Sequence, residues 1–128
     1  VSAHDRLVAR LRAALPGRAP TRIEAGGIRR AAVAILLVDR SGDPMVPFTV
    51  RAPELSTHPG HVALPGGRID PGEDAVAAAL RETDEELAVP PDAVSVIGEL
   101  DDIVTSSGYA ITPVVGELIR PVGYRPNP

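Results

Sequence analysis

The sequence predicts an α/β fold, an α/β/α sandwich with a mixed β-sheet. Three observations carry that expectation. An apolar run over residues 31–39 has the length and composition of a strand buried on both faces. Two β-branched segments, 94–100 and 110–118, read as further strands. Between the first run and these two segments lies a helix in which Val76, Leu80, Thr83 and Leu87 form one stripe able to face a core. At 128 residues and 13.3 kDa the chain is one domain with room for one modest core.

In chain order, residues 3–15 predict a short amphipathic helix with Leu7, Leu11 and Leu15 on one face. Residues 16–27 are rich in turn formers and read as a connector. After the 31–39 strand, Ser41-Gly42-Asp43-Pro44 reads as a turn and 46–51 as the next strand. Thr105-Ser106-Ser107-Gly108 joins the last two strands. The expected division is an N-terminal helix and connector over 1–27, a core over 31–120 and a loop-like tail over 121–128, all within a single domain spanning 1–128.

Composition excludes several classes. Without cysteine there is neither a disulfide framework nor a thiolate zinc site. The net charge of −4 argues against a broad basic face, so no nucleic-acid partner is expected. All 13 basic side chains are arginine, which reads as coding bias. The longest apolar run is too short to span a bilayer, so no membrane association is expected. No secretory leader precedes it, which makes a cytoplasmic location the expectation.

The chemistry concentrates in the helix that follows Gly67-Arg68-Ile69-Asp70-Pro71-Gly72-Glu73. Its final turns read Arg81-Glu82-Thr83-Asp84-Glu85-Glu86. At about 100° per residue, Glu82 and Glu86 lie about 40° apart, with Glu85 on their flank. A solvated acidic face would carry cations four residues on, but Glu86 follows Glu82, and Val89 and Pro90 follow the other two. Arg81, within reach of Glu85, is the one cation in these turns. The acids also oppose the helix dipole. A cluster that repels itself in this way is explained by a divalent cation that neutralises it.

The spacing is similar to the Nudix box, G-x5-E-x7-R-E-U-x-E-E-x-G-U, with U a bulky apolar residue. Gly67, Glu73, Arg81, Glu82, Glu85, Glu86 and Val89 match, while Thr83 replaces an apolar residue and Ala88 replaces a glycine. The α/β/α sandwich is the fold this resemblance implies. The loss of glycine at Ala88 is expected to alter the helix exit, because glycine best suits a left-handed cap.

The preceding segment resembles the signature of coenzyme A pyrophosphatases within that superfamily. Thr49, Arg51, Ala52, Gly60, Pro65, Gly66 and Gly67 fit in register. Pro47-Phe48, Ser56 and Leu64 depart from the pattern, and His61 stands where many members have glutamine. Gly108-Tyr109-Ala110-Ile111-Thr112-Pro113-Val114-Val115-Gly116 also looks like the family's strand. Relatives usually continue with an acidic segment, a strand and a C-terminal helix, so that part is expected to be missing after Pro128.

The resemblance implies roles residue by residue. Glu82 and Glu86 would ligate Mg2+ or Mn2+, with Glu85 as a third ligand or a support for bound water. Glu73 would pair with Arg81 across the start of the helix and orient it. Gly66 and Gly67 would bring backbone close to metal and substrate, although Pro-Gly-Gly is also simply a tight turn. Arg51, His58, Gly60 and His61 would contact the substrate, against the plainer reading of solvated loop residues. His4 carries no functional reading. The general base is left among Glu82, Glu85, Asp101 and Asp102. The implied reaction is metal-assisted hydrolysis of the diphosphate of coenzyme A, giving 4′-phosphopantetheine and adenosine 3′,5′-bisphosphate. The alternatives are hydrolysis of another nucleoside diphosphate derivative, such as ADP-ribose or NADH, or a Nudix-fold binding module without catalysis. Such enzymes are commonly homodimers, an expectation that no residue here carries.

Overall fold

The computed structural model describes residues 1–50 and 62–123. Helix α1 (Ala3–Ala14) starts at Ser2, whose hydroxyl accepts the Asp5 N–H at 3.0 Å. Strand β1 (Arg29–Arg40) follows the connector, and its burial alternates from Ala32 to Leu36. Ala32, Ala34 and Leu36 face one side of the sheet, and Ile35 and Leu37 face the other. One side packs on α1 through Val8 and Leu15, which meet Leu37, Ile97 and Val115. The opposite side packs on helix α2 (Ala75–Leu87) through Ala78 and Ala79, which meet Ala32, Ala34 and Val114. Helices on both faces make an α/β/α sandwich.

The sheet is mixed. Strand β8 (Tyr109–Leu118) runs parallel to β1, with Arg29 opposite Tyr109 and Leu37 opposite Glu117. The other edge of β1 pairs antiparallel with β2 (Asp43–Met45) near its end and with β5 (Gly66–Arg68) near its start. The other edge of β8 pairs antiparallel with β6 (Val94–Glu99) and β7 (Ile103–Val104). A separate two-stranded ladder joins β3 (Thr49–Val50) to β4 (Val62–Ala63).

Several expectations change. The turn after β1 is only Ser41-Gly42, both with positive φ as a two-residue hairpin requires. Asp43 and Pro44 already belong to β2, where an edge strand tolerates proline. The strand expected over 46–51 is reduced to Thr49–Val50 among the described residues, and Arg51 lies outside them. Val76 and Leu80 are only part-buried; Ala78, Ala79, Thr83 and Leu87 form the buried stripe of α2. The small side chains of Ala78 and Ala79 meet Ala32, Ala34 and Val114 of the sheet directly. Ala88 adopts the left-handed cap despite its side chain, with φ 58°, and its N–H bonds the Asp84 carbonyl at 2.9 Å.

Candidate active site

The turn Ile69–Glu73 delivers β5 into α2, and two devices fix it. Gly72 has φ 82°, a conformation natural to glycine. Asp74 caps the helix, its carboxylate accepting the Ala77 N–H at 2.7 Å. The α2 face beside β5 then carries Glu82 and Glu86. The Gly66 N–H donates to Glu86 Oε2 at 2.9 Å. A Cβ on Gly67 would stand 2.6 Å from Glu82 Oε2, so only glycine leaves that carboxylate where it is. On Gly66 a Cβ would overlap the Ala32 carbonyl.

Arg81 organises the acids. Its Nε and one terminal nitrogen donate to both oxygens of Glu73, at 2.8 and 3.0 Å, a bidentate fork. The same terminal nitrogen reaches the Arg68 carbonyl at 3.1 Å and Asp70 at 3.4 Å. The other donates to Glu82 Oε1 at 2.8 Å and lies 3.5 Å from Glu85. The fork from Arg81 and the Asp70 N–H lower the Glu73 pKa to about 2. Glu73 and Glu82 in turn hold Arg81 protonated well above its ordinary range. Glu82 moves the opposite way from Glu73. Burial raises its pKa most, Glu85 and Asp70 add to the rise, and Arg81 opposes it. Among the described residues the site is therefore a packed set of carboxylates around one guanidinium, with burial working against the charged form of Glu82.

The structure brings Glu73, Arg81, Glu82, Glu85, Glu86, Gly66 and Gly67 together. His58, Gly60 and His61, like Arg51, lie outside the described residues. Asp101 and Asp102 are otherwise engaged. Asp102, with its side chain fully buried, accepts from Thr112 Oγ1 at 2.6 Å, Arg30 at 2.9 Å, the Ile23 N–H at 3.0 Å and Arg22 at 3.1 Å. Burial raises its pKa, but those bonds outweigh it and the net shift is downward. Asp101 is lowered by the Thr21 N–H and by Arg18. Both pin the connector to the β6–β7 loop. Asp70 was not singled out from sequence, yet it faces Arg81 and raises the Glu82 pKa. Its place three residues before Glu73 in a turn was the available signal.

The family model for the NUDIX domain matches residues 28–125. The chain belongs to the Nudix family. Among curated Nudix relatives, the uncharacterized Nudix hydrolase NudL of Escherichia coli strain K12 is 47% identical over 98 residues, 76% of this chain and 50% of NudL. The chain thus spans about half the length of the curated relatives it matches. Among solved Nudix structures, the hydrolase RenU of M. smegmatis superposes with a TM-score of 0.67 at 27% identity, covering 78% of this chain and 65% of RenU. The Nudix domain of Shewanella oneidensis NrtR, complexed with ADP ribose, superposes with a TM-score of 0.58 at 20% identity, over 83% of this chain and 68% of that one. The latter shares the fold.

Proposed function

We propose that this Nudix domain hydrolyses the diphosphate of coenzyme A or its derivatives to 4′-phosphopantetheine and adenosine 3′,5′-bisphosphate, using Mg2+ or Mn2+. The observation that carries the chemistry is the convergence of Glu82, Glu85 and Glu86 beside a glycine pair whose missing side chains leave room for them. The substrate class rests on the match of residues 49–67 and 108–116 to the coenzyme A pyrophosphatase signature.

The residues fit a hard cation. All the donors are oxygens, and Glu82 is raised in pKa by burial, a penalty that a bound dication offsets. Glu82, Glu86 and Glu85 would hold it. When bound, such a cation withdraws charge from the diphosphate and eases ionisation of water. The protein's own work is positional. Glu73 fixes Arg81, and Arg81 fixes one oxygen of Glu82, leaving the other directed past Gly67. The Gly66 N–H fixes Glu86. Glu85 is the most exposed of the three and touches Arg81 only at 3.5 Å, so it is the best placed to take the proton from an attacking water. The water oxygen bonds to phosphorus and the anhydride P–O bond breaks, the charge passing to the departing phosphate. Arg51, His58, Gly60 and His61 would contact the substrate from the loop before the box. The reading extends to a cytoplasmic enzyme working as a homodimer.

The test is incubation of purified protein with coenzyme A and Mg2+ or Mn2+, followed by chromatography. EDTA-sensitive release of adenosine 3′,5′-bisphosphate supports the proposal. A second reading is favoured by Ser56 and His61, which depart from the signature in the substrate loop. Cleavage of ADP-ribose or NADH, with coenzyme A untouched, would establish it. Ligand binding without turnover of any of them would mark a non-catalytic module.

A further inference from the structure

Helix α1 begins against the β1–β2 hairpin, on ground unrelated to the acidic helix. The His4 N–H bonds the Gly42 carbonyl at 2.9 Å, and Asp39 Oδ1 accepts the Gly42 N–H at 2.8 Å. The first bond ties the helix start to the hairpin, and the second closes the hairpin turn itself. The His4 side chain is 2% exposed. Its Nε2 lies 3.2 Å from Glu117 Oε2, and the other Glu117 oxygen accepts from Arg12 at 2.9 Å. Against an ionised acceptor, Nε2 carries the proton, so a neutral His4 presents a bare lone pair at Nδ1. Among the described residues, that Nδ1 is a buried polar atom with no hydrogen-bond partner. An imidazole nitrogen of His4 and one carboxylate oxygen from each of Asp5 and Asp39 lie within 4.8 Å of one another. All three residues, with Glu117, line a cleft of about 520 Å³.

We propose that His4, Asp5 and Asp39 form a second cation site, for a borderline transition-metal dication such as Zn2+ or Co2+. The donor set decides the class of ion. A neutral imidazole with two carboxylates suits Zn2+ or Co2+, whereas the all-oxygen set on α2 suits Mg2+ or Mn2+. The Glu117–His4 contact is the carboxylate–histidine pair that orients a ligating imidazole and makes it more basic. Bonds of about 2.0–2.2 Å require donors closer together than 4.8 Å. Asp5 and Asp39 are exposed; Asp39 keeps Oδ1 on the Gly42 N–H, so its other oxygen and the Asp5 carboxylate would close inward on buried His4, the fixed point. Occupancy would tie the first turn of α1 to the β1–β2 hairpin and neutralise two neighbouring carboxylates, so the site is structural in character.

The experiment uses the full chain carrying Glu82→Gln and Glu86→Gln, which disables the other cluster, with Co2+ as the probe. Calorimetry gives stoichiometry, and the visible d–d bands of bound Co2+ report the ligand set. One equivalent should bind and should raise the Tm. Adding His4→Gln should weaken binding by more than the roughly 10–100-fold typical of losing an outer-shell partner. Asp39→Asn, at an exposed position, should weaken it at least about tenfold and keeps the test decisive if the His4 variant does not fold. Absence of binding would overturn the proposal. So would binding unchanged by Asp39→Asn but abolished by His58→Gln with His61→Gln. In a background with Glu82 and Glu86 intact, Asp39→Asn should leave Mg2+-dependent turnover unchanged.

Discussion

At the scale of single residues, the site depends on what Gly67 lacks. A methyl there would meet the flexible end of Glu82 rather than backbone, so Gly67→Ala is expected to fold with nearly native stability while displacing that carboxylate. Turnover should fall by about 100-fold or more with little change in Tm, since misplacement by about 1 Å is costly in catalysis. Glu86→Gln removes one charge at nearly constant shape and keeps an oxygen for the Gly66 N–H. Magnesium-dependent turnover should drop by about two orders of magnitude or more while the far-UV spectrum stays native; near-normal activity would sink the ligand assignment. The box residues were legible because fixed spacing on a helix is a one-dimensional pattern. Asp102 was not, because its partners Arg22, Ile23, Arg30 and Thr112 converge only after three segments fold together.

At the scale of elements, α2 and its exit show where local chemistry and tertiary demand disagree. Ala88 sits in the left-handed region, which costs an L-residue roughly 1–2 kcal/mol. Ala88→Gly should therefore stabilise the domain by about 0.5–1 kcal/mol, after the entropy cost of glycine, as read from urea midpoints. Thr83 fills an apolar position of the box by turning its hydroxyl back to the Ala79 carbonyl at 2.7 Å, so its methyl can pack. The long strands β1 and β8 were readable from apolar runs. The short ones, β2, β5 and β7, carry two or three residues each and have no period to detect. Proline at position 44 reinforced a turn reading that the edge of the sheet overrides. The connector over 16–27 also looked like plain loop, yet the Asp101–Asp102 pair binds it at Arg18, Thr21, Arg22 and Ile23. Asp102→Ala should cost about 2–3 kcal/mol, because the buried Thr112 hydroxyl and the Ile23 N–H lose their acceptor, and denaturant titration would show the loss.

At the scale of the whole molecule, charge pairing sets the response to acid. Glu73, Asp101, Asp102 and Glu117 are all lowered in the folded state. A lowered carboxylate contributes stability that is complete above its unfolded pKa of about 4 and is lost as pH falls through the folded value. For Glu73 that window runs from about pH 4.5 down to about 2. Urea midpoints should fall through this range, and Glu73→Gln should flatten the slope; an unchanged slope would refute the assignment. No helix among the described residues is long and apolar enough to cross a membrane. The parallel pairing of β1 with β8 has a further consequence for how the protein is made. Arg29 meets Tyr109, so the central pair of strands joins residues about eighty apart in the chain. Until the ribosome releases β8, Ala32, Ala34 and Leu36 lack the strand that completes their face. Every copy of this domain must therefore wait for β8 before its sheet can close, and during that interval the β8-side edge of β1 is open to whatever chaperone or stray edge meets it first.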